Sequence, residues 1–168
     1  MLFIIIVIGN VGSLNGLVID GGTGYNSLTF AASTSGSTQL VYDLTQLNYS
    51  KIQSFSCIGS DSAVRLTAAQ FNSFSNVFVQ LNATLLAASG GVFDATGKPV
   101  DKFKASPFGN TFIDGSPGGA IVTLTGDVGN DVFYCGGARG YTAYGMEGSD
   151  RLYGGTHQNV FYGGDGAD

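Results

Sequence analysis

Five glycine-led segments follow one another at the carboxy end of the chain. They read GDVGNDVFY (126–134), GGARGYTAY (136–144), GMEGSDRLY (145–153), GGTHQNVFY (154–162) and GGDGAD (163–168), with Cys135 interposed after the first. The sixth place holds Asp, Tyr or Asn, and the ninth place of every complete unit is tyrosine. Glycine at the first, second and fourth places tolerates positive φ and close backbone approach, so six residues can turn sharply. The remaining three suffice for a short strand whose middle residue faces inward; Phe133, Ala143, Leu152 and Phe161 take that place. A single unit cannot bury such a side chain, whereas stacked units bury a continuous column of them. The repeat therefore predicts coils wound along one axis.

The rest of the chain fits the same expectation. Runs rich in Val, Ile, Leu, Phe and Tyr recur at 27–30, 39–44, 51–55, 63–66, 76–81, 110–113, 121–124 and 131–134, separated by Gly, Ser, Asn, Asp and Thr. These read as short strands between turns. No long stretch keeps a helical period, although LTAAQFNSF at 66–74 allows a helical turn or two. MLFIIIVIGN at the start reads as a buried strand, with a truncated export signal or anchor as the alternative. The segment 87–107, which holds two of the three prolines, reads as a loop or excursion. The expected division is thus a strand-rich solenoid block at 1–86, an excursion at 87–107 and terminal repeats at 108–168.

The terminal pattern, with an earlier copy GGTGYNSLT at 21–29, resembles the hemolysin-type, or RTX, calcium-binding nonapeptide repeat, G-G-x-G-x-D-x-U-x with U a large apolar residue. The resemblance covers the last 43 residues and the isolated early copy. It implies that two successive units form one coil of a parallel β-roll, so that alternate units share an edge. Asp131, Asp150 and Asp168 then fall on one edge, and Tyr141 and Asn159 on the other. It further implies Ca²⁺ between coils. The side-chain ligands would be Asp131, Asp150 and Asp168, with main-chain carbonyls of Gly126, Val128, Gly145, Glu147, Gly163 and Asp165. Asn159 and Asn26 are weaker, neutral donors, and Tyr141 departs from the pattern by offering no short-range oxygen. Aligned carboxylates repel unless a cation lies between them, and carboxylate plus carbonyl oxygens are the hard donors that calcium takes. The same letters also suit turns that Asn and Asp cap without metal.

From this resemblance we expect an all-β, right-handed parallel β-solenoid with a calcium-binding β-roll at its carboxy end. We also expect a structural module of a secreted or cell-surface bacterial protein, exported by type I secretion and folding on calcium outside the cell, with further coils of a longer parent chain beside it. The middle block, IDGGTGYNSLTF through VRLTAAQF (19–71), looks like strand-rich stretches of large bacterial exoproteins, adhesins and surface-layer proteins.

Other functions find less in the sequence. A net charge of −5 with seven Lys and Arg argues against nucleic acid and points to a cation partner. The apolar run from Leu2 to Ile8 is far short of the ~20 residues that span a bilayer. His157 is the sole histidine, without a partner for an H-E-x-x-H zinc site, and no G-x-S-x-G elbow occurs, so no enzyme activity is expected. Cys57 and Cys135 either pair or serve as small buried hydrophobes. Asn48 and Asn82 head glycosylation triplets that occur commonly by chance. Tyr134, Tyr144, Tyr153 and Tyr162 would point outward in two ladders, which stabilise neighbouring coils or else bind sugar rings at a cell surface. Two alternatives therefore stand beside the structural module: the non-catalytic repeats of a secreted protease or lipase, and a carbohydrate-binding solenoid.

Overall fold

The computed structural model describes residues 3–8, 14, 17–31, 40–59, 62–116 and 118–168. In chain order the first strands are β1 (Phe3–Ile8), β2 (Val18–Asp20), β3 (Tyr25–Ala31), β4 (Leu40–Asp43), β5 (Asn48–Ser50), β6 (Ser54–Ile58) and β7 (Ser62–Leu66). After helix α1 (Ala68–Ser73) come β8 (Asn76–Gln80), β9 (Thr84–Ala87), β10 (Gly91–Asp94), β11 (Lys102–Lys104) and β12 (Asn110–Asp114). The chain ends with β13 (Val122–Thr125), β14 (Val132–Cys135), β15 (Tyr141–Gly148), β16 (Arg151–Gly154) and β17 (Asn159–Gly166).

Among the described residues every strand pair is parallel, and the sheets link strands two or three apart in the chain: β4-β7-β9-β11-β13-β15-β17 on one wall, β1-β3-β6-β8 and β10-β12-β14-β16 on the opposite side, and a β2-β5 pair. This is the right-handed parallel β-solenoid expected from the repeat. Period-2 alternation sends every second side chain inward. The seven-stranded wall thereby contributes one in-register column, Tyr42, Val64, Leu85, Phe103, Leu124, Ala143 and Phe161. Phe93, Phe112, Phe133 and Leu152 form the facing column. Phe103 meets Phe93, Phe112 and Phe133 with ring centroids 5.2, 4.6 and 6.2 Å away. Leu152 and Phe161, at the last coil, pack on this core but remain partly exposed.

α1 lies within 66–74, where the sequence allows a turn or two of helix. Thr67 and Gln70 close a capping box at its start, and Gln70 Nε2 donates to the Leu44 carbonyl (2.7 Å), fixing the turn against the preceding coil. The segment 87–107 differs from the expected excursion: it holds β10 and β11, of which β11 continues the seven-stranded wall between β9 and β13 while β10 opens a new sheet that does not pair with β8. Pro99 fits there because its carbonyl accepts the Val79 N–H (2.9 Å), and the return bond is donated by Asp101 (2.8 Å), so the missing proline N–H is not needed. The starting run 3–8 is a strand paired with β3, while the residues flanking it lie outside the described residues. Cys57 and Cys135 are both free and buried, so the small-hydrophobe reading holds.

Candidate cation-binding edge

The glycine-led turns of the first, second and fourth units close on their own sixth residues, Asp131, Tyr141 and Asn159. In the first unit the Asp127 N–H donates to Asp131 Oδ2 (3.1 Å), a bond spanning four residues inside the turn. The other carboxylate oxygen reaches the neighbouring coil: the Asn110 N–H donates to Asp131 Oδ1 (2.6 Å) across a separation of 21 residues. The motif repeats down the stack, with the Asp131 N–H donating to Asp150 Oδ1 (2.7 Å, 19 residues on) and the Asp150 N–H to Asp168 Oδ1 (3.0 Å, 18 residues on). Asp131, Asp150 and Asp168 therefore form one ladder along one edge, as the alternation of units implied. Asp131 is 0% exposed and Asp150 1%. Asp168, on the last coil, is exposed.

Burial in this row is costly for charge. It pushes the Asp131 carboxyl up to about 6, helped by the negative charges of Asp150 and Asp127 and opposed by the two backbone N–H bonds. Asp150 is raised in the same direction, by burial first and by Asp168. Its Oδ2 is buried and finds no hydrogen-bond donor among the described residues. That oxygen and the carbonyl oxygen of Gly163 crowd the same point, where a Cβ on Gly145 would lie. Gly126 is the equivalent place one coil earlier, where a Cβ would overlap the Gly145 carbonyl and stand 2.7 Å from Asp131 Oδ2. First-place glycine is required here because carboxylate and carbonyl oxygens from adjacent coils occupy the space a side chain would fill.

The expected ligand residues divide into three places. Asp150, Gly163 and Asp168 line a cavity at the open end of the stack, beside Leu152 and Phe161. Gly126, Val128 and Glu147 line a separate flank groove with Asp127 and Lys104, and Asp165 stacks in register on Glu147. Asn159 is on the opposite edge, where its Nδ2 donates to the Gly155 and His157 carbonyls (3.2 and 2.8 Å). Among the described residues no three acidic, His or Cys side chains converge on one point, so carbonyl oxygens would have to complete any metal shell. The donor types nevertheless fit calcium: a partnerless buried carboxylate oxygen beside a main-chain carbonyl, in a cradle that only glycine leaves open.

Asn26 of the early copy is buried, its Nδ2 donating to the Gly24 carbonyl of its own turn (3.4 Å) and to the Lys51 carbonyl of the neighbouring coil (2.9 Å). Tyr141 differs from the sequence expectation. Its hydroxyl does reach the turn, accepting the Gly137 N–H (3.0 Å) and donating to Asp114 Oδ2 (2.8 Å), so the phenol oxygen stands where a shorter carboxylate would. The tyrosine ladders form as expected: Tyr134 on Tyr153 at 4.8 Å and Tyr144 on Tyr162 at 4.9 Å, each pair within 6° of parallel. His157 is exposed.

One member of the ladder escaped sequence reasoning. Asn110 heads it, accepting the Ser106 N–H at Oδ1 (2.7 Å) and donating to the Ser89 carbonyl (2.9 Å), the same turn closure made by a neutral side chain. The string GNTFI, with Asn two places before an inward Phe, matches the GNDVFY and GSDRLY units and is the signal that marks it. No protein-family model, curated protein or solved structure matches the chain.

Proposed function

We propose that this chain is a calcium-binding structural module of a secreted or cell-surface bacterial protein, stabilised by Ca²⁺ held between coils on the Asp131–Asp150–Asp168 edge. The observation that carries the reading is Asp150 Oδ2: buried, without a donor, and beside the Gly163 carbonyl over Gly145. Asp150 and Asp168, with the carbonyls of Gly145 and Gly163, would hold one ion, and Asp131 and Asp150, with those of Gly126 and Gly145, a second. Calcium supplies two positive charges to a row in which burial already penalises ionised carboxylates. The metal-free alternative, turn capping, is performed at Asn110 by a neutral amide; a row of three acids in the same role therefore favours a cation. On the other edge Asn159 donates to carbonyls of its own turn, while its Oδ1 is buried without a donor among the described residues, a neutral oxygen and so a weaker ligand than a carboxylate.

The secreted-hydrolase alternative concerns sequence beyond these residues. The sugar-binding alternative is weaker, because each stacked pair, with rings under 5 Å apart, covers one face of each tyrosine.

Extracellular calcium modules have dissociation constants of about 10⁻⁴–10⁻³ M, so at ~1 mM calcium each site contributes roughly 0.4–1.4 kcal/mol. Two sites give about 1–3 kcal/mol, a rise in Tm of roughly 2–12 °C for a chain of this size. The test is thermal unfolding of the intact chain in EDTA, in CaCl₂ and in MgCl₂. A rise in calcium beyond that in magnesium supports the reading, and identical Tm values in all three buffers refute it.

A further inference from the structure

The second edge lacks a row of sixth-place carboxylates, yet it contains a buried charge. Arg139 stands at the fourth place of its unit, where glycine is usual, and its side chain is 1% exposed. The guanidinium runs along the inside of the edge. Nε donates to Asp114 Oδ2 (3.0 Å), Nη2 lies 2.9 Å from the same oxygen, and Nη2 also donates to the Val100 carbonyl (3.1 Å). Nη1 sits 3.6 Å from Asp101 Oδ1.

The acids it meets are themselves held in place. Asp114 accepts the Ser116 N–H (2.8 Å) and the Tyr141 hydroxyl (2.8 Å), and Asp101 accepts the Leu81 N–H (3.1 Å). Asp101, Asp114 and Arg139 come from successive passes of the chain along one edge: Asp101 in the turn after β10, Asp114 at the end of β12 and Arg139 in the turn after β14. Two carboxylates and a main-chain carbonyl drawn from different coils are the oxygen set a hard divalent cation takes. Here a planar fork of N–H donors occupies it, attached to the chain and always charged.

We infer that Arg139 is a resident cation for the second edge: it neutralises Asp101 and Asp114 across three coils, so that this edge holds together without metal and the response to calcium belongs to the Asp131–Asp150–Asp168 edge. The final clause rests on the calcium reading above; the neutralising role does not. The sequence departures in the second unit, Arg for Gly at the fourth place and Tyr for Asp at the sixth, are then one device. The phenol gives up the carboxylate's charge while keeping its oxygen in the turn, and the guanidinium supplies the positive charge that a metal would bring.

The test compares full-length wild type, Arg139→Met and Arg139→Lys in EDTA by thermal unfolding. Met keeps much of the length and removes the charge; Lys keeps the charge and loses the fork. Stranding two buried acids should lower the Tm of Arg139→Met by roughly 6–20 °C, with Arg139→Lys melting clearly above it. Equal melting of the Met and Lys variants, or a Met variant that melts with wild type, overturns the inference. A second arm measures calcium binding to Asp101→Asn by calorimetry, using CaCl₂ alone. The heat should match that of wild type, and its loss would show that the second edge takes metal after all. If wild type itself gives no heat, the calcium reading falls while the Met and Lys comparison still decides the role of Arg139.

Discussion

Without calcium, the chain should lose stability as pH rises from about 4 to about 6.5, and Asp131→Asn should remove much of that loss. Burial in the folded protein pushes the Asp131 carboxyl from its ordinary 3.8 up to about 6. A carboxyl whose folded value is raised binds its proton more tightly folded than unfolded, so its stabilising contribution is complete below about pH 3.8 and disappears as pH climbs through 6. At about 1.36 kcal/mol per pH unit, the difference amounts to roughly 3 kcal/mol, or about 6–12 °C in Tm. Asp150, raised in the same direction, adds to the fall in both proteins. The amide at position 131 cannot accept from both Asn110 and Asp127, as the carboxylate does, which costs about 1–3 kcal/mol independent of pH. The informative quantity is therefore the difference between wild type and Asp131→Asn, measured by urea unfolding in EDTA at intervals from pH 4 to 7. Contributions from Asp20 and Asp94, whose lowered values act in the opposite sense, cancel in that difference. The advantage of wild type should shrink by roughly 2–2.5 kcal/mol between pH 4 and 7, the part of the full difference that this range spans. An advantage that stays constant, or grows with pH, would refute the claim that charge on Asp131 is penalised, and with it the electrostatic reason for a cation on this edge.

Two further substitutions probe the frame that holds the edge. Gly145→Ala forces a methyl group onto Asp150 Oδ2 and the Gly163 carbonyl; it should cost about 1–3 kcal/mol in thermal unfolding. Gly136→Ala, whose Cβ would meet only the Asp114 carbonyl at 3.4 Å, should change little. Phe103→Ala, which vacates the centre of the Phe93, Phe112 and Phe133 cluster, should lower stability by about 3–5 kcal/mol in urea unfolding, with or without calcium.

Where the nine-residue period is unbroken, sequence and structure agree closely. The inward positions Phe133 and Ala143, the outward tyrosine stacks and the sharing of an edge by Asp131, Asp150 and Asp168 all lie where the period puts them. Agreement weakens where spacing stretches. Asn110 lies 21 residues before Asp131, outside the regular 18 or 19, and so its place at the head of the row is set by pairing with Asp131 and not by local pattern. Strands β10 and β11 are four and three residues long, amid Gly, Lys and Pro that favour turns locally. Their conformation is decided by neighbours about twenty residues away, Phe112 for Phe93 and Leu85 for Phe103. Arg139 was the least legible: as an isolated letter it reads as a surface charge in a turn, and only the approach of Asp101 and Asp114 from earlier coils turns it inward.

In the proposed calcium-bound form, Asp150 stands between two calcium positions and belongs to both. Isothermal calorimetry of CaCl₂ into the intact chain and into Asp150→Ala tests it most directly. Wild type should give a saturable heat, most of it lost in the variant; no heat in wild type, or the same heat in both proteins, would rule out a calcium pair sharing Asp150.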